Sequence, residues 1–136
     1  MPLAHTIKSF WALSSYAAAD DCWLWAGYKE RNGYGRLFFQ GVRVSAHRFA
    51  YELTRGKIPK GLTIDHLCRV RHCVNPHHME AVPNGVNVLR GVGLTAQNAR
   101  KTHCPQGHLY SSARNGQGRR DCHVCRREQY RRRRTK

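Results

Sequence analysis

The sequence predicts an α+β protein in two zinc-stapled parts. A core over 1–98 has an N-terminal helix and short β-strands, and a basic C-terminal zinc-binding tail spans 99–136. Three observations carry this expectation. In the first half, short apolar runs alternate with turn signals and one helical period. Cysteine and histidine fall into two groups with metal-ligand spacing. Near residue 98 the composition shifts: residues 100–136 hold 12 of the 24 basic residues and only two acids, Asp121 and Glu128.

Residues 5–19 read as a short helix with Ile7, Phe10, Trp11 and Leu13 near one face, ended by Asp20-Asp21. Three β-like runs follow, over 22–28, 34–40 and 42–45, with turn signals at Asn32-Gly33 and Gln40-Gly41. Residues 46–55 read as a helix with Phe49, Ala50 and Leu53 on its apolar face and Gly56 as its stop. Leu62 to Asp65 is a short strand, residues 67–78 are a loop, and 79–82 form a second short strand. A helix over about 84–97 follows, with Asn84 as its N-cap and Gly85, Gly91 and Gly93 weakening it. A basic helix or arm closes the chain over 126–136. Trp11, Trp23 and Trp25 are read as core or dimer-contact residues.

The clearer cysteine group is Cys104-Pro105-Gln106-Gly107-His108 followed by Cys122-His123-Val124-Cys125. Two close ligand pairs joined by a loop are how a tetrahedral zinc site is assembled, so Cys104, His108, Cys122 and Cys125 are predicted to hold one zinc. The tail has few apolar residues and needs such a staple. The other group is Cys68-x4-Cys73-x4-His78. It lacks a fourth ligand. Cys22 is the one cysteine left over, and taking it uses all six cysteines, three per site. His72 and His77 compete for that place but abut other ligands. Two complete protein-ligand sets imply closed, structural zinc.

Chemistry is then left to Asp65-His66 before the first zinc loop and Asn87 inside the next helix. His66 has the pKa range of a general base near neutral pH. Asn87, with Asp65, offers oxygen to a hard divalent ion such as Mg2+. Arg36, Arg43 and Arg48 are candidates for phosphate contact. His47, His72 and His77 are given no role.

The run Ile64-Asp65-His66-Leu67-Cys68, then Cys73-Val74-Asn75-Pro76-His77-His78-Met79-Glu80, then Asn87, resembles the HNH (ββα-metal, His-Me finger) nucleases. It is closest to the zinc-bearing His-Cys box homing endonucleases and to phage HNH proteins. Gly33-Tyr34-Gly35-Arg36 and Ala46-His47-Arg48 are supportive only. The resemblance implies a metal-dependent DNA endonuclease with a ββα-metal core and His66 as general base. Cys68, Cys73, His78 and an upstream cysteine would bind structural zinc. Asn87 and Asp65 would hold the catalytic Mg2+ or Mn2+. It departs from the family at Val86, where an acid is usual, and at His78, the middle position of the pattern, which zinc consumes.

Composition bounds the partners. The chain has 136 residues and a formal net charge of +16, with 18 Arg against 6 Lys. A polyanion, here double-stranded DNA, is the expected partner, because the guanidinium fork grips phosphate oxygens in pairs. No apolar run reaches the ~20 residues of a membrane span, and no continuous apolar segment marks a secretory signal. The expected setting is intracellular and cytoplasmic, in a bacterium or a phage-infected cell, where thiols bind metal rather than pair. A double-strand cut by one active site per chain implies a homodimer. Two other classes remain open on sequence alone: a zinc-stabilised DNA-binding protein without catalysis, and a secreted disulfide-rich basic peptide.

Overall fold

In the computed structural model, residues 6–110 and 120–134 are described. The chain divides into two compact units, Met1–Val88 and Leu89–Lys136.

The first unit starts with α1 (Ile7–Ala12), where a capping box between Thr6 and Ser9 satisfies the first amides. The helix is shorter than the 5–19 predicted from apolar spacing. Ser14 leaves it to bridge Trp25, and Phe10 alone of its residues is fully buried. Residues 22–28 do not form a regular strand. They make only single bridges, Leu24 to Cys73 and Ser14 to Trp25, because Trp23 and Trp25 are drawn into the core and leave no continuous edge to pair. A hairpin of β1 (Arg36–Phe39) and β2 (Val42–Ser45) follows, turning through Gln40-Gly41. It leads directly into α2 (Ala46–Arg55), which stops at Gly56 as the sequence predicts.

The second sheet carries the candidate residues Asp65 and His66. β3 (Leu62–His66) pairs antiparallel with β4 (Met79–Pro83), His66 opposite Met79 and Asp65 opposite Glu80. Residues 67–78 loop between them and end in a single 3-10 turn, Pro76–His78. The chain then enters α3 (Asn84–Arg90), of which Asn84 is the first residue rather than the cap.

The core of this unit is aromatic. Phe10 stacks on Trp25 at 5.0 Å and meets Phe49 edge-on, with Leu37, Ala46, Ala50, Ile58, Ile64, Val74 and Met79 around them. Gly35 is required here: a Cβ at that position would collide with the Trp25 ring and crowd the Ala46 methyl.

In the second unit, the predicted 84–97 helix is broken at Gly91 to Gly93, and α4 (Leu94–Arg100) restarts after it, consistent with the helix cost of glycine. Residues 103–109 form a tight turn closed by Cys104 N–H donating to the His108 carbonyl at 2.8 Å, with Gly107 at φ +81°. Among the described residues, α5 (His123–Arg134) ends the chain without a buried side chain. Ala96, Cys104 and Cys122 are the buried residues of this unit.

Candidate active site and metal centres

Two groups of cysteine and histidine are gathered, one in each unit. Cys22, Cys68, Cys73 and His78 bring one ligand atom each to within 4.8 Å of one another, and so do Cys104, His108, Cys122 and Cys125. These are the two predicted sets, with Cys22 and not His72 or His77 in fourth place. All six cysteines are free thiols.

The spacing within each group suits zinc. Tetrahedral bonds of about 2.3 Å to sulfur and about 2.05 Å to nitrogen put two sulfurs about 3.8 Å apart, and sulfur and nitrogen about 3.5 Å apart. In the first group, His78 Nδ1 lies 3.5 Å from Cys22 Sγ and 3.8 Å from Cys73 Sγ. In the second, Cys104 Sγ lies 3.8 Å from Cys125 Sγ, and His108 Nδ1 lies 3.6 Å and 3.3 Å from these two sulfurs. Each set could hold one zinc. Burial pushes the Cys73 thiol up to about 12, so a metal that binds there must displace its proton.

Cys22 reaches the first group through a residue that sequence reasoning passed over. Asn75 is fully buried, and its side-chain amide donates to the carbonyls of Ala19 and Asp21, both at 2.7 Å. Its Oδ1 accepts from His77 N–H at 2.9 Å and starts the 3-10 turn that presents His78. Trp25 N–H to His72 O and Val74 N–H to Trp23 O complete the tie. The signal was an asparagine immediately before proline, a common helix-entry pair.

The same loop orients His66. Its Nε2 lies 3.1 Å from the Cys73 carbonyl oxygen. A carbonyl can only accept, so Nε2 carries the hydrogen and Nδ1 carries the lone pair. Burial lowers the His66 pKa below the ordinary histidine value, outweighing the raising effects of the Cys73 carbonyl and Asp65.

Asp65 is 1 % exposed, and its Oδ1 accepts from Arg69 Nη1 at 2.6 Å. A buried carboxylate requires such a cation. Asn87 Nδ2 donates to Thr63 Oγ1 at 3.3 Å, which leaves the amide oxygen for another partner. Successive strand residues point to opposite sides. Thr63 and Asp65 therefore share one side of β3, the side on which Asn87 docks, and His66 points from the other.

The three phosphate candidates differ. Arg36 and Arg43 both pair with Glu30, at 3.0 Å and 2.9 Å, and Arg36 also donates to Ser45 Oγ. Arg48 is exposed on α2. His47, assigned no role from sequence, sits with its ring centroid 4.9 Å from that of His66, and Tyr34 lies against both. The Ala46-His47-Arg48 run gave no spacing that would have singled it out.

Residues 44–89 match the family model described as HNH endonuclease. Over this segment the chain is similar to HNH endonucleases. The HNH match runs from β2 into α3 and contains His47, Asp65, His66, Cys68, Cys73, His78 and Asn87. Cys22 and the second cysteine group lie outside it. The chain is 38% identical over 60 residues to Protein 7.7 of Escherichia phage T7, covering 44% of this chain and 46% of that protein. It is 36% identical over 44 residues to the uncharacterized gene 5.3 protein of Enterobacteria phage T3, covering 32% and 44%. The chain thus spans less than half the length of either relative. No solved structure matches.

Proposed function

We propose that the protein is a metal-dependent endonuclease that hydrolyses phosphodiester bonds of double-stranded DNA with sequence or base-modification selectivity. His66 is the general base, and Asp65 with Asn87 holds a divalent ion, Mg2+ or Mn2+. Bound there, that ion supplies positive charge for the leaving 3′ oxygen. One observation supports the reading: the His66 ring, inside the segment that matches the HNH endonuclease model, is fixed through Nε2 by the Cys73 carbonyl, which leaves Nδ1 to accept a proton. Nδ1 of His66 takes the water proton, and the lowered pKa keeps the ring neutral and competent at neutral pH.

The remaining parts follow from this assignment. Residues 1–98 are the nuclease core, and Cys22, Cys68, Cys73 and His78 are its structural zinc ligands. Residues 99–136 are a second zinc-stapled element, on Cys104, His108, Cys122 and Cys125, that anchors DNA by its phosphates. Arg36, Arg43 and Arg48 contribute phosphate contacts from the core. A double-strand cut is made by a homodimer acting in the cytoplasm, in keeping with two phage relatives.

Plasmid cleavage with Mg2+ and with EDTA, for the wild type and for His66→Ala, tests this. Mg2+-dependent nicking or cutting by the wild type, lost in His66→Ala, is expected. If the wild type shifts DNA on a gel but leaves the plasmid intact in Mg2+ and in Mn2+, the protein is a zinc-stabilised DNA binder instead.

A further inference from the structure

We propose that His47 is a second imidazole of the active site, donating an N–H hydrogen bond to a non-bridging oxygen of the scissile phosphate. This rests on the assignment of His66 as the base. Three observations support it. His47 lies in the first turn of α2, and its ring meets His66 edge-on, 4.9 Å between centroids. Its Nδ1 is buried without a hydrogen-bond partner among the described residues. Arg36 and Arg48 lie near enough for their charges to disfavour its protonation.

A histidine with a sealed, unpartnered nitrogen is a poor choice for packing alone. Phenylalanine would fill the same space without burying a polar atom. A buried N–H left unpaired is rarer than an unpaired acceptor, which assigns the lone pair to Nδ1 and the N–H to Nε2. Burial, then the charges of His66, Arg48 and Arg36, lower the His47 pKa to about 3. The ring is therefore neutral wherever the enzyme works. Two imidazoles in contact thus divide the labour. His66 accepts the proton, while His47 offers a hydrogen bond that does not titrate, a use of neutral imidazole that suits charge growing on a transferring group. The guanidinium groups beside it draw the same phosphate towards the pair.

Single-turnover cleavage of a short DNA duplex in saturating enzyme and Mg2+ tests the proposal, using His47→Phe, His47→Gln and, as reference, His66→Ala. His47→Phe keeps the ring and loses the donor. It is expected to cleave about 100-fold more slowly, by a ratio constant from about pH 6 to about pH 9, with DNA binding in EDTA unchanged. His47→Gln, which retains a neutral N–H, recovers part of the loss. If His47→Phe cleaves within about threefold of the wild type while His66→Ala is dead, the proposal is wrong and the base assignment stands. A loss that instead appears as an upward shift of the acid limb means that His47 acts only through His66, and also overturns it. If His66→Ala cleaves normally, the base assignment itself has failed.

Should His47→Phe not fold, sulfur at each non-bridging position decides with His47→Gln. One stereoisomer should slow the wild type more than the variant. Equal slowing of both proteins by both isomers overturns the contact.

Discussion

The two units carry the same Cys3His geometry and rely on it for different things. Met1–Val88 has an aromatic core apart from its Cys/His group, of which Cys73 alone is fully buried, and Cys73 lends its backbone carbonyl to His66. In Leu89–Lys136 three buried residues are described, and two of them, Cys104 and Cys122, belong to the cluster itself. The first cluster shapes a site on a fold that apolar burial already supports. Among the described residues of the second unit, the cluster supplies most of what is buried. A zinc staple can thus serve as a positioning device or as a substitute for a core, depending on what surrounds it.

Removing one ligand from each cluster breaks this comparison most directly. Cys125→Ser is expected to unfold residues 89–134 outright, seen as loss of amide exchange protection there, while protection over 6–88 persists. Plasmid cleavage should survive, with weaker DNA affinity and a shallower salt dependence, because the arginines of α5 no longer act from an ordered scaffold. Cys73→Ser should do the reverse: it should leave the α5 unit protected and reduce cleavage by more than about 100-fold, through release of the loop that holds His66. If both substitutions unfold the whole chain, the units are not independent, and the contrast drawn between them is wrong.

Acid sharpens the comparison, with a smaller effect. His47, lowered to about 3, and His66, lowered by burial, are held neutral in the first unit. In the unfolded chain both titrate near the ordinary histidine value of about 6.5. The sign follows from linkage. Above about pH 6.5 both states are neutral and the stability is full. As the pH falls below that value the unfolded chain takes up protons that the native one refuses, and stability is lost. For His47 the slope is about 1.4 kcal/mol per pH unit, until the pH nears its native value of about 3. The three tryptophans, Trp11, Trp23 and Trp25, all lie in this unit, so urea unfolding followed by their fluorescence reports on it alone. His47→Phe should flatten the loss between about pH 6 and about pH 4 by roughly that slope. An unchanged slope would mean that His47 is already protonated in the native state.

The sequence made these regions legible to different degrees. β3, the loop and β4 follow from a short apolar run and ligand spacing, and α2 from its period and its glycine stop, because each is decided by neighbours in the chain. Both ligand sets were legible because cysteine arithmetic closes at three per site. What could not be read depends on distant partners. Residues 22–28 look like a strand, yet Trp23 and Trp25 are claimed by the core, which no local pattern announces. Asn75 looks like a polar loop residue until Ala19 and Asp21 come against it. His47 sits 19 positions before His66, in a run that only supported the resemblance, and the packing of α2 against the loop brings the two rings together. Arg36 and Arg43 were legible as basic, but not as partners of one carboxylate.

That last pairing gives the smallest test of how the two units use charge. α5 carries six arginines and one glutamate over His123–Arg134, so its field is set by excess charge. In the hairpin unit, Glu30 holds Arg36 and Arg43 together, with the glutamate side chain 20% exposed. Such a surface pair is worth less than about 1 kcal/mol to stability, so Glu30→Gln should barely move the unfolding midpoint. Its effect on DNA should be opposite in sign. Releasing two arginines and removing one negative charge should tighten binding about two- to fivefold at low salt and steepen the salt dependence by up to about 0.9 for each phosphate gained. Titrations of a short duplex at several salt concentrations, in EDTA to prevent cleavage, measure both. If affinity rises with no change in slope, Arg36 and Arg43 help only through the general field and do not touch phosphate. Direct phosphate contact in this protein would then fall to Arg48 and to the α5 unit.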